Sequence, residues 1–193
     1  MSTALKRLTV DEYLLIERAA TEKSEFFDGE VFAMSGGSAR HSLISGNVIG
    51  ALWAALKGRC HVHTSDMRIK SPLGLYTYAD AAVVCGADRC EGKSDDVLLN
   101  PTLVVEVLSP STEAYDRGRK FQHYRSIDSL RTFILVSQEE RLVEVFSRDD
   151  NDRWILTEFT EGLVQISQPD CELAVDDIYD QVLFTEPDAT ESN

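Results

Sequence analysis

Two carboxylates sit where carboxylates are costly. Asp80 lies in Tyr78-Ala79-Asp80-Ala81-Ala82-Val83-Val84-Cys85, and Glu106 lies in Leu103-Val104-Val105-Glu106-Val107-Leu108. Both runs otherwise read as buried strands. An ionised carboxylate in apolar surroundings must be paired, protonated or bound to a cation. Two of them in consecutive core strands suggest convergence on one site. Strand alternation puts Glu106 on the face of Val104 and Leu108, with Val105 and Val107 opposite. Two carboxylates and a backbone carbonyl make a sparse site for a hard divalent cation, Mg²⁺ or its substitute Mn²⁺. Such an ion polarises a phosphate and lowers the pKa of an attacking water. The competing reading is two strand-end acids bonded to backbone or to arginine.

The next candidates are cationic. Residues 113–126 read as a basic helix carrying Arg117, Arg119, Lys120 and Arg125. Residues 57–70 form a second basic window, and these two are large enough for a phosphate footprint. The alternative is plain helix surface, since Lys and Arg are good helix formers. His61 and His63 share one strand face, but two imidazoles without a third ligand do not make a metal site. Cys60, Cys85, Cys90 and Cys171 contain no Cys-x-x-Cys pair. They read as free thiols in a reducing cytoplasm.

The elements that must position these residues are legible in order. Thr9-Val10-Asp11-Glu12 fits a capping box with Leu8 and Tyr13 as the staple, which predicts a helix over about 10–20. Asp28-Gly29 between aromatic and β-branched residues predicts a hairpin. Gly36-Gly37-Ser38 then caps a helix to about Gly58, with Ile44, Val48, Leu52 and Leu56 as its apolar stripe. Three strands follow, over 61–69, 78–85 and 102–108. After the basic helix comes a buried strand over 131–136. A second hairpin spans 142–146 and 154–159 around an Asp-Asn-Asp turn. From residue 38 the order is helix, three strands, helix, strand, a mixed α/β layer.

Leu103 to Thr112, followed by Asp116, Lys120, Tyr124 and Arg125, resembles the Uma family of endonucleases. Glu25 to Glu30 ahead of His41, and Tyr78-Ala79-Asp80 before its apolar run, share the resemblance, which covers about residues 8–180. It implies the PD-(D/E)XK superfamily and a restriction-endonuclease-like αβββαβ core, here about 38–137, with an N-terminal helix and hairpin and a C-terminal β extension. The superfamily's proline-aspartate step becomes Ala79-Asp80. Its Glu-x-Lys becomes Glu106-Val107-Leu108, so the in-line lysine is replaced. Some members supply that lysine from the following helix, which points to Lys120, with Lys70 as runner-up. Members also place an acid on the first core helix; residues 38–58 contain none, so His41 or Glu25 would substitute. The resemblance thus implies Asp80 and Glu106 as metal ligands, Lys120 as the group assisting water, Glu25 and His41 as further catalytic residues, and Arg117, Arg119 and Arg125 as contacts to DNA.

Composition bounds the rest. The 193 residues are 43% apolar and 27% charged. That suits one soluble domain over 1–185, with an acidic disordered tail at 186–193. No run reaches the ~18 apolar residues of a membrane span, and the N-terminus lacks the apolar segment of a signal peptide. A cytoplasmic location follows. The net charge is −14, of which −13 falls in residues 139–193. The body is therefore nearly neutral and compatible with nucleic acid, because binding follows local potential. There is no GxSxG, P-loop, GxGxxG or zinc-deaminase pattern. The reading is an Mg²⁺-dependent endonuclease of DNA, compatible with a homodimer because two cuts on a duplex need two sites. The rivals are a catalytically silent nucleic-acid-binding module on the same fold, and a protein-interaction module using the acidic C-terminal portion.

Overall fold

Thr9 caps α1 (Val10–Ala19) through the full capping box with Glu12, and the partly buried Leu8 packs on the cluster that holds Tyr13. The structure, a computed structural model, describes residues 7–34 and 36–184. The readings of the first six residues and of the tail at 186–193 lie outside them. The predicted hairpin is β1 (Ser24–Phe27) and β2 (Glu30–Ala33), with Phe27 paired to Glu30. Asp28 and Gly29 both take positive φ, 49° and 83°, as a two-residue turn matched to strand twist requires. Ser38 caps α2 (Ala39–Leu56) by accepting a hydrogen bond from the His41 amide. Ile44, Val48, Leu52 and Leu56 form its buried stripe.

The strand predicted over 61–69 divides into β3 (His61–Thr64) and β4 (Arg68–Lys70). The next one also divides, into β5 (Tyr76–Tyr78) and β6 (Ala81–Val84). Asp80 therefore lies at a break between strands, where the chain passes from one sheet to another. Burial hides this from sequence, because β5 and β6 are both fully buried and read as one apolar run. β7 (Val97–Leu98) completes a five-stranded sheet of order β2-β1-β5-β4-β7.

The second sheet holds the core. β8 (Leu103–Val107) pairs antiparallel with β6 and parallel with β9 (Thr132–Val136). A parallel neighbour needs a crossover. It is supplied by α3 (Glu113–Tyr115), a π-helical turn at Asp116–Lys120, and α4 (Phe121–Arg125). The basic helix is thus one helical run with a π-turn in its middle. β10 (Val143–Arg148) and β11 (Trp154–Phe159) add the predicted hairpin, giving the order β11-β10-β9-β8-β6-β3. The C-terminal extension is a separate hairpin, β12 (Leu163–Ser167) and β13 (Asp170–Ala174), followed by α5 (Val175–Ile178).

Each face of this sheet is covered. Leu103, Val105 and Val107 pack on the α2 stripe, with Val164, Ile166 and Leu173 from β12 and β13. Val104 and Leu108 pack on the other side with Phe121, Tyr124, Ile127 and Phe133. Residues 4 apart along the crossover helix present Asp116, Lys120 and Tyr124 toward that second face, and all three are buried. The free-thiol expectation fails for two cysteines. β3 and β6 are antiparallel neighbours, which brings Cys60 and Cys85 to a Cα separation of 4.3 Å and into a disulfide. Cys90 and Cys171 are free. Among the described residues no helix is long and apolar enough to cross a membrane.

Candidate active site

Glu106 points from β8 toward the crossover helix, as alternation requires, and is 4% exposed. Its Oε1 meets the Lys120 Nζ at 2.8 Å and accepts a hydrogen bond from the Tyr124 hydroxyl at 2.7 Å. Lys120 is equally buried. Its ammonium also donates to the Tyr78 carbonyl at 3.2 Å. It lies 3.5 Å from Glu25 Oε1 and 3.6 Å from Asp116 Oδ1. Glu25 arrives from β1 in the other sheet and accepts hydrogen bonds from Thr77 and from the Tyr115 hydroxyl. One ammonium is thus enclosed by three carboxylates drawn from both sheets and the crossover helix.

Asp80 and His41 form an adjacent pair. Asp80 Oδ2 accepts the Val107 amide at 2.7 Å, which ties it to the residue after Glu106. It lies 3.4 Å from His41 Nε2, and Ser45 of α2 reaches its other oxygen at 3.5 Å. The sheet break at Ala79-Asp80 is what lets this acid turn toward the helix. A groove of about 410 Å³ opens at the start of α2, lined by Ser38, Ala39, Arg40, Pro110, Gln138 and Glu139.

The electrostatics follow from burial. Desolvation pushes the Glu106 carboxyl up to about 8, against the pull of Lys120 and with the help of Asp116 and Asp80. Burial raises Asp116 as well. Burial works to lower Lys120, but the charges of Glu106, Glu25 and Asp116 win and hold it well above its ordinary value. The hydrogen bond to Asp80 raises His41. Four acids are thus crowded around one ammonium and one imidazole, and burial with this crowding favours a proton retained on Glu106. The carboxylate oxygens of Asp80 and Glu106 are of the donor type a hard cation takes, and here they are met by Lys120, Tyr124, the Val107 amide and His41. The Lys120 ammonium stands closest to Glu106 itself, at 2.8 Å, with Glu25 and Asp116 farther off.

The remaining sequence candidates are placed differently. Arg117 is engaged by Glu113 at 2.7 Å and by Glu144 at 2.6 Å, so its charge is already met. Arg119 is exposed and lies over the Phe27 ring, and the exposed Arg125 lies over Phe121. Lys70 pairs with Glu91 away from Glu106. Asp116, Tyr124 and Tyr115 were given no role from sequence. The four-residue spacing of Asp116, Lys120 and Tyr124 was the available signal.

Residues 10–176 match the Uma2 family model, described as "Putative restriction endonuclease". Two proteins of Synechocystis sp. (strain ATCC 27184 / PCC 6803 / Kazusa) are similar. The uncharacterized protein slr1290 is 36% identical over 186 residues, covering 95% of this chain and 97% of that protein. The uncharacterized protein sll1609 is 36% identical over 155 residues, covering 79% and 88%. Among solved structures, a "putative nuclease belonging to DUF820" from Anabaena variabilis ATCC 29413 superposes with a TM-score of 0.70. It is 19% identical and covers 91% of this chain and 99% of that one.

Proposed function

The chain belongs to the Uma2 family, and from that membership we propose that it is a divalent-metal-dependent endonuclease acting on DNA phosphodiesters. Its fold is the restriction-endonuclease-like one. The observation that carries the proposal is the buried Glu106–Lys120 contact at 2.8 Å beside an aspartate anchored on the Val107 amide.

Asp80 and Glu106 would hold Mg²⁺ or Mn²⁺. When bound, the ion polarises the phosphate and makes a water acidic enough to attack. The protein's own groups do the rest. Lys120 keeps its proton at Nζ and so presents a fixed positive charge where the phosphorane gains negative charge. Glu25 and Asp116 also stand beside that ammonium, and Tyr124 fixes the Glu106 carboxyl. His41, kept protonated more readily by Asp80, can give a proton to the leaving oxygen. The groove between the start of α2 and Pro110 gives a strand access beside His41. The exposed Arg119 and Arg125 would meet phosphates. Two such chains would cut both strands, hence a homodimer on the duplex.

The test is cleavage of plasmid DNA with Mg²⁺ or Mn²⁺ by the parent and by Glu106→Gln, with folding checked by circular dichroism. A fall of at least ~100-fold in the variant is expected. Unchanged cleavage in a folded variant removes Glu106 from the mechanism. Absence of both cleavage and Mn²⁺ binding in the parent favours the silent nucleic-acid-binding module.

A further inference from the structure

Outside this cluster, β3 is an edge strand of the six-stranded sheet. His61 and His63 are two residues apart on it and lie opposite Val84 and Ala82 of β6. Both imidazoles therefore stand on one face. The chain leaving β6 turns at Gly86, whose φ of +109° is open to glycine, and brings Asp88 back over the two rings. Asp88 Oδ1 lies 3.0 Å from His61 Nδ1 and 3.3 Å from His63 Nε2. The three ligating atoms all fall within 4.8 Å of one another.

We propose that His61, His63 and Asp88 form a second metal site, selective for a first-row transition ion such as Zn²⁺ and independent of the nuclease reading. Two neutral imidazole nitrogens and one carboxylate oxygen suit Zn²⁺ and are poor ligands for Mg²⁺. Zinc–ligand bonds of about 2.0–2.1 Å set tetrahedral ligand edges near ~3.3 Å, which the two Asp88 separations already approach. Three protein ligands leave a fourth position for water, and the His61 side chain is 59% exposed, so the ion has a way in.

The surroundings hold the triad in shape. The Cys60–Cys85 disulfide joins the residue before His61 to the end of β6. Asn100 clamps both neighbours of Asp88: its Oδ1 accepts the Arg89 amide at 2.7 Å and its Nδ2 donates to the Ala87 carbonyl at 3.0 Å. A carboxylate held from both sides, over two imidazoles on a stapled strand, is preorganised to bind a cation. Bound there, the ion would tie the edge strand to the loop beyond β6.

The test is titration of the full chain with Zn²⁺ by calorimetry and with Co²⁺ by visible absorption, without Mg²⁺ or DNA. One tight site with the intense bands of tetrahedral Co²⁺ is expected in the parent, told apart from weaker binding at the inner carboxylates by its persistence in Glu106→Gln. Loss of one ligand in His63→Ala or Asp88→Asn should weaken binding by at least the ~10–100-fold seen when only supporting groups are removed. Asp88→Asn keeps the side-chain shape, so loss of binding in a folded variant supports the site. No tight site in the parent overturns the proposal. So does Zn²⁺ binding that persists in both triad variants, or that disappears with Glu106→Gln alone.

Discussion

The two polar clusters differ in composition and in burial: one is rich in acids around a single ammonium, the other is two imidazoles and one carboxylate. Around Glu106 the acids are buried with a single ammonium, drawn from both sheets and a helix. Around Asp88 the groups are more open to solvent, His61 most of all at 59%, and come from one strand and one loop. Burial makes charge expensive, so the inner cluster has shifted protonation and every member depends on the others. Exposure makes charge in the outer cluster less costly, so losing one of its members costs the fold little when no metal is bound. The inner site is thus built into the fold, whereas the outer one is attached to it.

The largest expected effect comes from breaking the inner site. Lys120→Ala leaves three carboxylates around an empty place and should destabilise the protein by ~3–5 kcal/mol in urea denaturation. His61→Ala, the matching change outside, should stay within about 0.5 kcal/mol without metal. Equal costs would mean that the contrast between the clusters is false. Cys60→Ser/Cys85→Ser removes a link between cysteines 25 residues apart and should cost ~3 kcal/mol. The same change should loosen zinc at the outer cluster while leaving DNA cleavage intact.

A third effect is in pH. Folding raises the Glu106 carboxyl from 4.5 to about 8, so between those values the folded state keeps a proton that the unfolded chain has lost. Stability must therefore fall as pH rises through that window. The raised His41 acts in the same direction, its contribution being full below its unfolded value and lost as pH climbs through the folded one. Glu106→Gln should flatten the slope of melting temperature against pH, and a slope unchanged by the substitution would place the titration elsewhere. On the proposed reading, in which the ionised Glu106 carboxylate holds the metal, Mn²⁺ affinity at the inner site should rise with pH toward 8, with proton release seen by calorimetry. The smallest effect is at the surface. Arg119→Ala or Arg125→Ala should each lower the salt slope of DNA binding by about 1, whereas a similar drop for Arg117→Ala would contradict its engagement by Glu113 and Glu144.

Much of the inner site was legible because it obeys short-range rules. An acid inside an apolar strand announces itself, and Glu106 needs only alternation to be assigned its face. Lys120 followed from a resemblance and a helical spacing. Asp116 and Tyr124 share that spacing, but an acid and a tyrosine on a basic helix carry no sign of which way they point. The sheet break before Asp80 was hidden, since two buried strands in different sheets and one longer strand look alike as apolar text.

From its own residues the chain determined the capping box at Thr9, the Asp28-Gly29 hairpin, the α2 stripe and the element order of the core, all of which act over a few bonds or one helical turn. Only tertiary structure decided that Glu25 crosses from one sheet to Lys120 in another environment, that Cys60 meets Cys85, and that Asp88 closes over His61 and His63. Those meetings depend on which strands become neighbours. That choice is made by burying both faces of the six-stranded sheet at once, and no local pattern contains it.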